Sequence, residues 1–203
     1  MKATPGRKAC LAVAVLVLGA RGAGAADVEV APFFGAQFGS SFASTASGST
    51  YSLGTGLDYG ATLDVAINPS WWVEFLYSRQ KTDLSGGSGV PPFDIKVERY
   101  MAGIQEVKEA GPLRGFGVFL LGATRFAPGF SGFGSDTRFT LGLSLGLKTP
   151  PSRRLGLRVE GRGFFVVVES GGGALCSNGN CIFSYRASGL WQGDVTASAV
   201  IAF

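Results

Sequence analysis

No histidine occurs among the 203 residues, so the commonest general acid/base and the commonest metal ligand are missing together. Charged residues are scarce at 16%, against roughly 25% in soluble globular chains. No apolar run reaches the ~20 residues that a bilayer-spanning helix needs. Only nine Pro and no Gly-X-Y period accompany the 32 Gly, which excludes collagen. What is abundant argues against disorder: sixteen Phe, three Trp and 46% apolar residues offer ample surface to bury.

The first residues read as an export leader. Lys2, Arg7 and Lys8 precede a twelve-residue apolar run, Ala9 to Ala20. Ala23-Gly24-Ala25 then supplies a small-x-small cleavage site, with Gly24-Ala25-Ala26 one residue on. This predicts a cleaved signal peptide over 1–25 and one domain over 26–203. Cys10 opens the apolar run rather than following it, which argues against a lipid-modified cysteine. Four of the eighteen basic residues lie in the leader, so the fourteen left balance the fourteen acidic ones. No basic excess survives to favour nucleic acid. Export makes Cys176 and Cys181 candidates for a disulfide. Asn178-Gly179 between them suits a two-residue hairpin turn that sets the two cysteines opposite each other.

Beyond the leader the dominant period is two. Phe139, Leu141, Leu143, Leu145 and Leu147 alternate with Arg138, Thr140, Gly142, Ser144 and Gly146. Leu57–Ile67 and Trp191–Phe203 repeat the pattern, which is that of strands with one apolar and one polar face. Eight strands are predicted, over 27–39, 56–67, 71–79, 93–109, 115–126, 136–148, 155–168 and 191–203. The least regular is 93–109, where Arg99 falls on the face begun by Ile95 and Val97. A bulge, or an arginine reaching toward an interface, is expected there. Connections alternate between short ones (68–70, 110–114, 149–154) and long ones rich in Ser, Gly and Thr (40–55, 80–92, 127–135, 169–190). That alternation is the layout of an antiparallel up-and-down transmembrane β-barrel of eight strands. Trp71, Phe116 and Phe203 at strand ends are expected in an interfacial girdle.

The polar face carries Glu29, Asp58, Asp64, Glu74, Arg125, Arg138, Arg158, Glu160, Arg162 and Asp194. In an eight-stranded barrel the interior is only wide enough for side chains. These residues are therefore expected to form a lumenal ion-pair network, with Arg138 meeting an acidic partner on the opposite wall. Such pairing argues against an ion path, and Asp58 with Asp64 makes no substrate cleft for glycoside chemistry. The Gly clusters at 86–87 and 171–173 lack phosphate-loop spacing, and one Cys pair without His provides too few metal ligands. No cofactor is implied.

From Ser52 to Phe203 the chain resembles the small eight-stranded outer-membrane β-barrel family, the OmpA/OmpX-like group. The resemblance is carried by YGATLDVAINPSWWVEFLYSRQKTDL (59–84), LGATRF (121–126), DTRFTLGLSLGLK (136–148), LGLRVEGRGFF (155–165) and the terminal Phe203. It implies location in the outer membrane of a Gram-negative-type bacterium, as a monomer in contact with outer-membrane lipid. It also implies that Phe203 is read by the outer-membrane barrel assembly machinery. Enzymes built on such barrels depend on a histidine, which this chain lacks, so no catalytic activity is expected. The role implied is structural or one of surface interaction with an unnamed ligand. The alternatives are a porin-like channel for small solutes or ions, and a soluble exported ligand-binding barrel.

Overall fold

A computed structural model describes residues 28–39, 41–43, 50–86, 93–129, 135–152, 154–167, 173–177, 180–184 and 189–203. The leader over 1–25 lies outside them. Among the described residues every regular element is a strand: β1 (Val28–Phe38), β2 (Ser41–Ala43), β3 (Thr50–Leu53), β4 (Gly56–Ala66), β5 (Trp71–Gly86), β6 (Phe93–Ala110), β7 (Leu113–Pro128), β8 (Asp136–Lys148), β9 (Leu155–Val167), β10 (Gly173–Ser177), β11 (Asn180–Ser184) and β12 (Gly189–Ala202). Eight of them, β1, β4–β9 and β12, form a ring of antiparallel neighbours that closes through β1–β12 and β5–β6. Closure leaves these strands no unpaired edge, which is how a barrel satisfies its backbone. Even the last residue joins the seam, where the Phe203 N–H donates to the Val28 carbonyl at 2.9 Å.

The short connections are made by residues suited to them. Gly111 has φ 67 and Pro112 follows it, between the paired residues Ala110 and Leu113. Glycine at the first central position with positive φ is what a type II′ hairpin requires. At the β4–β5 turn the Asn68 side-chain oxygen accepts from the N–H groups of Ser70 and Trp71, both at 2.9 Å. Asparagine thus replaces a backbone acceptor there.

The faces are inverted relative to a soluble protein. Leu57 and Leu145 are 74% and 75% exposed, whereas Asp58 and Glu74 are fully buried. Outward positions carry Phe34, Phe75, Leu143, Leu157, Val159 and Trp191, and inward ones carry nearly all the buried charge. Two of the expected girdle residues, Trp71 and Phe203, do point outward; Phe116 does not, and is buried inside the barrel.

Three features differ from the sequence expectation. First, β5 runs seven residues past 79, to Gly86, and pairs there with β6 and β3. The alternation continues through Gln80, Lys81, Thr82 and Asp83, but both faces are polar, so no apolar phase announces it. Second, β6 contains no bulge around Arg99: its register with β5 and β7 is unbroken. Ile95, Val97, Arg99 and Met101 all point inward because the interior is partly apolar, and Arg99 points with them. Third, the segments 40–55 and 169–190 hold two small strand pairs, β2–β3 and β10–β11.

Candidate functional site

The interior is polar and built in two levels. At the level nearer the short turns, Arg158 on β9 is the hub. Its guanidinium donates across the barrel to Asp64 on β4 at 2.9 Å and to Glu74 on β5 at 2.8 Å. It also reaches Glu160 on its own strand at 2.6 Å. Beside it Lys148 on β8 pairs with Glu29 on β1 at 2.6 Å, and Gln105 donates to Glu74 at 3.1 Å. Nearer the long loops, Arg99 on β6 donates to Gln37 on β1 at 3.0 Å and to Gln192 on β12. Arg162 joins the two levels: it is ion-paired to Glu160 and lies 3.9 Å from Asp194.

Each buried cation also lies over an aromatic ring. Arg158 sits 4.2 Å from the centre of the Phe116 ring, Arg162 4.2 Å from Phe33, Arg99 4.5 Å from Phe164 and Lys148 4.5 Å from Trp72. A desolvated cation over a ring gains on the order of 2 kcal/mol. The rings in turn need flat wall beneath them. A side chain at Gly60 would meet the Phe33 ring and one at Gly146 the Phe116 ring, so glycine gives these aromatics their space.

The sequence-derived set divides as follows. Glu29, Asp58, Asp64, Glu74, Arg158, Glu160, Arg162 and Asp194 are all buried in the interior. Asp58 and Asp194 sit among them but accept no hydrogen bond from the described residues. Two members differ from the expectation. Arg125 points outward from β7, 47% exposed, toward Glu98 at 3.8 Å. It lies at an odd position of a strand whose even positions face in, and the β6–β7 register fixes that phase. Arg138 does face in, and among the described residues the acid it meets is Asp136, two residues along its own strand, at 2.8 Å. Sequence reasoning missed Lys148 and Arg99 as interior cations. Lys148 ends the alternating run of β8 in phase with Ser144, a signal that was available; Arg99 was hidden by its apolar neighbours.

Six buried carboxylates therefore face four buried cations among the described residues. That balance makes the interior formally acidic. No grouping of three or more potential metal ligands occurs among the described residues. Cys176 and Cys181 are register partners in the β10–β11 pair, flanked by Ser177 and Asn180. The intervening Asn178 and Gly179 lie outside the described residues.

No family model and no curated protein sequence matches the chain. Solved structures do. Neisserial surface protein A (NspA) superposes with a TM-score of 0.62 at 16% identity, covering 89% of this chain and 100% of that one. The outer membrane protein OprG from Pseudomonas aeruginosa gives 0.55 at 14% identity, covering 90% and 98%. The fold is that of the small eight-stranded outer-membrane β-barrels. At these identities the likeness is one of architecture.

Replacing Arg158 with Met leaves the buried Asp64 and Glu74 without a cation, while Glu160 keeps Arg162. Breaking a buried pair costs about 3–5 kcal/mol, so the unfolding free energy of Arg158→Met in detergent should fall by that order. Arg114→Ala removes an exposed pair with Glu109 and should cost about 1 kcal/mol or less. Equal losses in urea unfolding would contradict the assignment of Arg158 as the hub.

Proposed function

We propose that this chain is an outer-membrane β-barrel of a Gram-negative-type bacterium with a structural or surface-interaction role, its lumen closed by ion pairs. The observation that carries the reading is the reach of Arg158 from one wall to Asp64 and Glu74 on the opposite one, all of them buried. Cross-lumen pairs of this kind occupy the narrow interior of an eight-stranded barrel. The outward apolar belt favours lipid as its surroundings, since a soluble carrier would put that belt inside. Residues 1–25 act as the export leader, the barrel is a monomer, and no catalysis is assigned. Phe203, outward at the end of the closing strand, serves as the assembly signal.

The test combines fractionation with planar-bilayer recording. Expected are recovery from the outer-membrane fraction, a heat-dependent shift in gel mobility and no stable conductance. Deleting Phe203 should lower the assembled yield without lowering export. Stable channels would overturn closure, and the acidic interior predicts that any leak through it selects cations. Recovery from the soluble periplasm would overturn the membrane reading.

The β10–β11 register supports a second, local proposal: Cys176 and Cys181 form a disulfide that stiffens this hairpin. Directly opposite residues in an antiparallel pair lie ~4.5–5.5 Å apart, which a disulfide tolerates. Exported protein, denatured without reductant, should then contain no thiol that reacts with a maleimide. Labelling of both cysteines would show the bond to be absent.

A further inference from the structure

The outer face of β4–β7 changes character rung by rung toward the long-loop end. The lowest rung of interest is apolar, with Leu63, Phe75, Ala102 and Leu121 side by side. Above it Tyr77 and Tyr100 face each other with ring centres 5.2 Å apart. Next come Arg79, Glu98 and Arg125, where Glu98 lies 3.8 Å from both arginines. Then Lys81 is set directly opposite Lys96, and one rung farther out Asp83 directly opposite Asp94.

These last two rungs are unusual. Like charges placed directly opposite each other destabilise a sheet. Diagonal pairing of the lysines with the aspartates would relieve the repulsion, yet among the described residues none of the four makes an ion pair. All four side chains are exposed. They border a polar hollow of about 420 Å³. Below the intervening Arg79–Glu98–Arg125 rung lies an apolar groove of about 610 Å³ lined by Ala61, Leu63, Phe75, Ala102 and Leu121, with the two tyrosines at its upper rim. The small side chains of Ala61 and Ala102 between larger neighbours make the hollow.

We propose that this wall binds a membrane lipid bearing a phosphoethanolamine headgroup, with one acyl chain in the groove, the phosphate at the Lys81–Lys96 rung and the ammonium at the Asp83–Asp94 rung. The order of charges selects the ligand. Past the mixed Arg79–Glu98–Arg125 rung stand the two lysines, and one rung beyond them the Asp83–Asp94 carboxyl pair, ~6.8 Å along the strand. A headgroup whose phosphate adjoins the acyl chains and whose amine points outward matches that order. An anionic glycerol headgroup would meet the carboxylates with no cation to offer, and a trimethylated amine would have no N–H to donate. Arg79 and Arg125 are partly neutralised by Glu98, which leaves the lysine rung as the strongest phosphate site. Tyr77 and Tyr100 sit at the apolar-to-polar boundary where amphipathic rings are favoured.

The proposal rests on the barrel lying in a bilayer, and the experiment separates the two. Protein is inserted into nanodiscs of equimolar phosphatidylethanolamine, phosphatidylglycerol and phosphatidylcholine, and co-purifying lipid is counted by native mass spectrometry after mild release. Folding of every variant is verified by its heat-shifted gel mobility. Wild type should retain phosphatidylethanolamine over each of the others by roughly tenfold, the effect of one charge-assisted contact. Asp83→Asn with Asp94→Asn should erase the preference over phosphatidylglycerol. Lys81→Gln with Lys96→Gln should lower retention of all three lipids, and Ala102→Trp, which fills the groove, should release the bound lipid altogether. Insertion without preference, or a preference unchanged in Asp83→Asn/Asp94→Asn, overturns this inference alone. Failure to enter the nanodiscs overturns it together with the membrane reading.

Discussion

A guanidinium held between opposite walls is the constraint on which the rest of this barrel depends. Arg158 brings β9 within hydrogen-bonding distance of β4 and β5, strands that share no backbone pairing with it. The ladder bonds fix each strand to its neighbours, but only interior side chains fix the shape of the cross-section. Removing charges from water is costly, so they remain ionised inside only with close partners and additional donors. The aromatic rings beneath the four cations contribute a second attraction that needs no further charge. Interior glycines then follow as a geometric consequence, because a ring under an arginine under a carboxylate fills the radius of eight strands.

The same economy of space bears on function. With the lumen closed as proposed, by Arg158, Arg162, Lys148 and Arg99 with their partners, the outer wall and the long-loop end are the surfaces left open to other molecules. The mixed-charge rungs of β5 and β6 stand where the outward apolar band ends. Polar residues on both faces above Arg79 extend that wall beyond its neighbours, so the ladder carries its pattern farther out than apolar periodicity alone could indicate.

Much of this was legible in the sequence. Strict alternation located all eight barrel strands, because period-two patterning is what a two-faced wall imposes on any sequence. Eight of the ten charges expected inside from the same parity are buried there, though Asp58 and Asp194 accept no hydrogen bond from the described residues. Parity failed where a strand's phase could not be set from its own residues. On β7 the face carrying Phe116, Val118 and Leu120 is apolar yet turns inward, so Arg125 was assigned to the wrong side. On β6 the inward Ile95 and Val97 made Arg99 look misplaced, when it is one of four interior cations. Pairing is a property of the closed ring, and no local pattern indicates that Arg138 turns to Asp136 while Lys148 finds Glu29 on the far side of the barrel.

The central claim is that cross-lumen pairs bind the walls together rather than merely coexist there. A double-mutant cycle on Lys148 and Glu29, residues of β8 and β1 that meet at 2.6 Å, measures this directly. Unfolding free energies of Lys148→Met, Glu29→Gln and the double variant should give a coupling above about 1 kcal/mol, within the range found for residues in one salt-bridge network. A coupling indistinguishable from zero would show that the pair contributes nothing to holding the barrel, and would contradict the account.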